Sequence, residues 1–170
     1  MNKWLDNLSD QVDQRFRFDM LKLRIPPPIY ALTIAVLMWF LNSFSPITVL
    51  FSEPWNKVGW LFIVVGLIID LWSVGLFWKQ KTTVNPLKPD NSNSIVITGF
   101  YQYSRNPMYL GMLSILLGVA LLLGSLSPFI GLPLFVLLIT TQQIIPEEMT
   151  LTNKFGQEYL DYKHRVRRWL

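Results

Sequence analysis

Four apolar stretches constrain this chain more than any other feature: Pro27 to Phe44, Val58 to Trp78, Tyr109 to Leu123 and Ser127 to Ile145. A helix rises about 1.5 Å per residue, so roughly 20 apolar residues cross the ~30 Å hydrocarbon core of a bilayer. Each stretch comes near that length, and the third is short enough to lean on its flanks. The competing reading is a soluble protein with buried core helices. Against it stands the second stretch, VGWLFIVVGLIIDLWSVGLFW, which is apolar all round instead of along one stripe. With 51% hydrophobic and 15% charged residues, a chain of 170 would also struggle to bury such elements in water. The expected fold is all-α and integral to the membrane, a single domain with about four transmembrane helices.

The flanks set the orientation. Lys3, Arg15, Arg17, Lys22 and Arg24 precede the first span, and Lys79, Lys81, Lys88 and Arg105 lie between the second and third. Lys154, Lys163, Arg165, Arg167 and Arg168 follow the fourth, whereas the other two connections hold only Lys57. Lysine and arginine collect on the cytoplasmic side, so both termini and the middle loop, residues 79–108, are expected there. This asymmetry and anionic headgroups account for the net charge of +4, so it gives no reason to invoke nucleic acid. No small-residue cleavage site follows the first span, and it is expected to stay in the mature chain.

Residues 1–24 place Trp4, Leu8, Val12, Phe16 and Met20 at intervals of four, which predicts a helix lying in the membrane interface. The segment 146–170 opens on Pro146 and spaces Leu151, Phe155, Tyr159, Tyr162 and Val166 as one face of an amphipathic helix, with Gly156 its weak point. The hairpin GSLSP is too short to carry a site, whereas a loop as long as 79–108 in a small protein is usually functional or disordered.

Chemistry is concentrated in a few places. In GFYQYSRNPMYLG, Gly99 and Gly111 permit close backbone approach, Tyr101, Tyr103 and Tyr109 offer aromatic faces with hydroxyls, and Arg105 is a fixed cation. The set could hold a planar base and an anion, or be an interfacial aromatic belt with a snorkelling arginine. Glu147 and Glu148 are adjacent where the fourth span ends; neighbours on a helix diverge by about 100°, so at most one is expected to face inward. They could equally be favourable first-turn charges. Asp70, within the second span, is costly there and either hydrogen-bonds between helices or lines a site, with the run from Thr140 to Gln143 as a partner at matching depth. Gln142 and Tyr159 join it as candidate substrate contacts. The chain has no cysteine and a single histidine, His164, so metal binding is not expected and thiol nucleophiles are excluded.

GFYQYSRNPMYLG resembles the G-x-Y-x-x-x-R-(H or N)-P-x-Y-x-G signature of the isoprenylcysteine carboxyl methyltransferase and phospholipid methyltransferase family. EEMTLTNKFGQEYLDYKHRV is similar to that family's second signature, and the two cover roughly Thr82 to Leu170 in the family's order. The resemblance implies an S-adenosylmethionine-dependent methyltransferase with its cofactor at the cytoplasmic membrane surface. It implies a cofactor shell of Gly99, Tyr101, Arg105, Asn106, Pro107, Tyr109, Glu147 and Glu148, with Arg105 and Glu148 acting in catalysis. The acids would take the ammonium and ribose hydroxyls, and the arginine the carboxylate. No glycine-rich dinucleotide turn follows a strand, so a soluble-type nucleotide site is not expected. Asn106 stands where eukaryotic members carry histidine, and it cannot carry a proton. The turn before the acids, with Thr141, Ile145 and Pro146, lacks the arginine and further acids of the prenylcysteine enzymes. The compact form resembles the bacterial branch, which places the chain in an inner membrane with a lipid or amphiphilic acceptor presenting a carboxylate, thiol or amine. Two rivals are a nicotinamide-dependent membrane reductase of similar fold and a small transporter or scaffold using Asp70.

Overall fold

The computed structural model describes residues 25–79 and 95–170. The interfacial helix expected over 1–24 and residues 80–94 of the middle loop lie outside the described residues. Among the described residues six α-helices follow one another: α1 (Pro27–Phe44), α2 (Gly59–Lys79), α3 (Pro107–Leu123), α4 (Gly131–Ile139), α5 (Ile145–Phe155) and α6 (Gln157–Arg165). A single π-helical turn, Thr140–Ile144, joins α4 to α5. Pro27–Phe44, Trp55–Leu76 and Ser127–Phe155 are long and apolar enough to cross a membrane, and Pro107–Leu123 is a shorter apolar helix beside them. Among the described residues there is no strand, only an isolated antiparallel bridge between Val49 and Ser125. The chain is an all-α membrane protein.

Proline starts two of these helices, Pro27 in α1 and Pro107 in α3, where its missing N–H has no helical partner to lose, whereas Pro146 follows the π turn inside the continuous helix of the fourth span. The core is a seam between helices, with Ile34 and Met38 of α1, Met112, Leu116 and Ala120 of α3, and Phe135 and Ile139 of α4. Large apolar side chains also cover the outside, including Leu32, Trp39, Trp60, Leu71 and Trp72. Such a surface suits hydrocarbon and would aggregate in water.

The α2–α3 pair is packed backbone to backbone. Gly59 meets Gly118 and Gly66 meets Gly111, and a Cβ on Gly66 would fall 2.5 Å from the Gly111 carbonyl oxygen. Between bilayer helices there is no hydrophobic drive to associate, so close van der Waals approach through small residues and interhelical hydrogen bonds takes its place. Ser114 supplies one such bond, its hydroxyl donating to the Phe62 carbonyl at 2.9 Å. At one end of the bundle the α1–α2 connection is tied to the α3–α4 turn, with Leu50 N–H donating to Gly124 O and Leu126 N–H to Thr48 O, each at 2.8 Å.

The tail departs from the single helix expected over 146–170. The helix of the fourth span runs without interruption to Phe155, breaks at Gly156, resumes as α6 and becomes extended at Val166. Gly156 has φ +55° and ψ −125°, a conformation closed to most residues with a Cβ. The break turns α6 back towards the bundle, and the last residues return to the start of α3.

Candidate functional site

The returning tail closes over the first signature. Ser104, Arg105 and Asn106 sit in the turn before α3, where Pro107 fixes the helix start. The Arg105 N–H donates to Arg167 O at 3.0 Å, and Asn106 Nδ2 donates to Arg168 O at 2.9 Å. Arg105 Nη1 reaches the carbonyls of Lys163 (3.0 Å) and Val166 (2.8 Å), and Trp169 packs on the apolar core. Tyr162 OH donates to the Tyr101 carbonyl at 2.7 Å.

Beneath this strap lies a buried ion cluster. Arg105 Nη2 donates to Glu148 Oε1 at 2.7 Å, while Arg168 Nε and Nη2 donate to Oε1 (3.0 Å) and Oε2 (2.8 Å). The side chains of Arg105 and Glu148 are only 9% and 7% exposed. A carboxylate taken out of water loses several kcal/mol of hydration, which is recovered only when opposite charge with good geometry replaces it. Two guanidiniums do so here, and the hydrogen bond to Glu148 in turn raises the Arg168 pKa. Lys163 Nζ stands 3.8 Å from Oε2.

Glu147 faces a different way and is also engaged. Its Oε1 accepts from Tyr109 OH at 2.6 Å, which ties α5 to the first turn of α3. The expectation that at most one acid of the pair would be turned to protein is thus corrected. The two carboxyls do diverge, but α5 lies between α3 on one side and the tail on the other, so both directions meet partners.

The first signature and the acid pair therefore meet at one end of the bundle. Tyr101, Arg105, Asn106, Tyr109, Glu147 and Glu148 come together there, and Tyr159 lies buried close by, its ring centroid 6.1 Å from that of Tyr162. Burial pushes the phenols of Tyr101, Tyr159 and Tyr162 above their ordinary pKa, so they remain neutral hydroxyl groups. Gly99 serves packing: with φ +63°, a Cβ there would lie 2.7 Å from Leu76 of α2. Gln142 is partly buried in the π turn.

Asp70 does not take its expected partners. Thr141 Oγ1 donates to Leu137 O and Gln143 Nε2 to Ile25 O, each at 2.9 Å, and Thr140 Oγ1 is buried without a bond. Asp70 Oδ1 instead lies against Gly111, where a Cβ would collide with it, and has no hydrogen-bond partner.

Two residues of the cluster were missed from sequence. Arg168 looks like one more topology-setting cation in KHRVRRWL, and only the strap reveals it as a ligand of Glu148. Ser104, 1% exposed, accepts from Asn106 N–H at 3.1 Å and donates weakly to Arg168 O at 3.4 Å. A serine just before a helix start is a common turn former, and that signal was available.

A helical membrane bundle with a buried carboxylate cluster under a C-terminal strap defines the class. Residues 55–158 match the family described as phospholipid methyltransferase, and the chain belongs to that family. An uncharacterized protein of Haemophilus influenzae is 49% identical over 63 residues, which cover 37% of this chain and 100% of that protein. The protein-S-isoprenylcysteine O-methyltransferase of Xenopus laevis is 32% identical over 118 residues, and that of Saccharomyces cerevisiae 35% over 112. Those alignments cover 65% and 64% of this chain but only 41% and 46% of the two relatives. The chain thus spans less than half the length of these two methyltransferase relatives. No solved structure matches.

Proposed function

We propose that this chain transfers a methyl group from S-adenosylmethionine to a lipid or amphiphilic acceptor at the cytoplasmic face of a bacterial inner membrane. The observation that carries the reading is the meeting of the two signatures, Arg105 with Glu148 and Tyr109 with Glu147, at one end of a bundle whose family is methyltransferase by description. The residues fit such a donor in the chemistry of their unpaired atoms. Asp70 Oδ1 and Arg105 Nε are both buried without partners, and they are opposite in charge, as an ammonium and a carboxylate on one ligand require.

When bound, S-adenosylmethionine supplies an electrophilic methyl carbon, so the protein needs chiefly to align an acceptor in line and keep water out. Glu147, Tyr101 and Tyr109 would receive the donor, with Asn106, Pro107 and Gly99 shaping the turn around it. Arg105 would offer the donor only Nε, because its backbone N, Nη1 and Nη2 are already committed to the tail and to Glu148, which acts as a positioning residue. Asp70 faces α3 from the α2 side, where its unpaired oxygen would meet the donor's ammonium. With no histidine at Asn106, an acceptor already anionic, or easily deprotonated, suits the site best.

Calorimetric titration of detergent-purified protein with S-adenosylhomocysteine tests the proposal without the acceptor. Glu147→Gln, which keeps side-chain volume and lies outside the ion cluster, is expected to weaken binding at least tenfold, about 1.4 kcal/mol. Absence of binding by wild type, with a nicotinamide dinucleotide bound instead, would replace the methyltransferase reading with the reductase one.

A further inference from the structure

More positive charge converges on Glu148 than it can neutralise. Arg105 and Arg168 hold it directly at 2.7 and 2.8 Å, and Lys163 adds a third cation at 3.8 Å. Even if the neighbouring Glu147 is counted as charged, although it points to Tyr109, cations outnumber acids. Lys163 is the loosely held member: its separation exceeds hydrogen-bond reach, its side chain is 32% exposed, and its ammonium lies 5.9 Å over the Tyr159 ring.

Beside that ammonium opens a groove of about 390 Å³, lined by Ile145, Glu148, Met149, Thr152, Asn153 and Lys163. Its lining is both apolar and polar. Ile145 and Met149, 39% and 44% exposed, form an apolar lip in the first turns of α5, where the apolar part of the fourth span gives way to the polar tail. Asn153 and Lys163 contribute polar groups, the Lys163 ammonium lying beside Glu148 in the first turn of α5.

We infer that this groove seats the headgroup of an anionic bilayer phospholipid, the phosphate against Lys163 and the start of the acyl region over Ile145 and Met149. Charge complementarity calls for an anion, and the apolar lip at the membrane boundary calls for one that brings hydrocarbon. The methyl donor carries a carboxylate but no chain to cover that lip, and free phosphate has none either. The bound lipid would tether α6, and with it the strap over Arg105. The inference stands apart from methyl transfer and would survive its failure.

The full chain is placed in nanodiscs of phosphatidylcholine, with or without phosphatidylglycerol, and acetylation of its lysines is timed by peptide mass spectrometry. Lys154, exposed on the same tail, reports the general surface potential. Phosphatidylglycerol is expected to slow Lys163 about fivefold more than Lys154, and Met149→Glu to abolish that difference. Equal slowing of both lysines, or none, overturns the inference in favour of a diffuse potential or no site. Selective protection of Lys163 in phosphatidylcholine discs by inorganic phosphate or by S-adenosylhomocysteine overturns it in favour of a free-anion or donor site. Protection that persists in Met149→Glu overturns the inference, because no acyl chain then rests on the apolar lip.

Discussion

Replacing Glu148 by alanine would leave the buried Arg105 guanidinium facing a void. The Arg105–Glu148 pair is at least nine-tenths buried on both sides, so its loss falls in the range of about 3–5 kcal/mol measured when one partner of a buried pair is removed. Arg168, 38% exposed, can turn to water and adds little to that cost. At roughly 2–4 °C per kcal/mol for a chain of this size, the melting temperature should fall by about 10 °C. Intrinsic tryptophan fluorescence during heating of the detergent-purified protein reads it. The chain supplies its own control: Glu53 pairs with Lys57 at 3.6 Å, but the side chains are 75% and 60% exposed. Glu53→Ala should cost under about 0.5 kcal/mol. The double variant Arg105→Met with Glu148→Met should melt above Glu148→Ala, because no buried charge is left unpaired. If Glu148→Ala melts within a degree or so of Glu53→Ala, the cluster is not structural and the positioning role falls.

Gly111→Ala places a Cβ against Asp70 Oδ1 and 2.9 Å from Gly66 O, so α2 and α3 must separate, at about 1–3 kcal/mol; Gly75→Ala, with nothing within 4 Å, should be neutral or gain up to ~1 kcal/mol by helix propensity. Comparable melting of the two variants would contradict the close α2–α3 packing. Tyr109→Phe removes the donor to Glu147 Oε1 and should cost about 1–3 kcal/mol in the same melt, while an unchanged melting temperature would mean that Glu147 finds another donor. Gly156→Ala meets no steric neighbour, so its expected loss of about 1–3 kcal/mol is backbone strain at φ +55° and ψ −125°; a stabilised variant would show that the tail need not bend there.

What the sequence determined by itself is what lies along one helix or one short motif. Long apolar runs and prolines at helix starts gave the all-α membrane fold, because helical periodicity and hydrocarbon thickness act on contiguous residues, whereas the pairing of the two motifs was implied only by the family resemblance. The tail helix was legible too, down to its weak point at Gly156, but not that the chain would reverse there. Which carboxyl meets which cation was decided by the tertiary structure alone. Arg105 and Glu148 are 43 positions apart, and Arg168 enters only because the break at Gly156 folds α6 back and lays the last residues across the start of α3. Asp70 shows the converse: its depth was legible, but the close approach of α2 to α3 at Gly66 and Gly111 set it against backbone instead of the polar run from Thr140 to Gln143. A side chain's partner in a bundle depends on the separation and rotation of neighbouring helices, and those are fixed by the packing of the whole molecule.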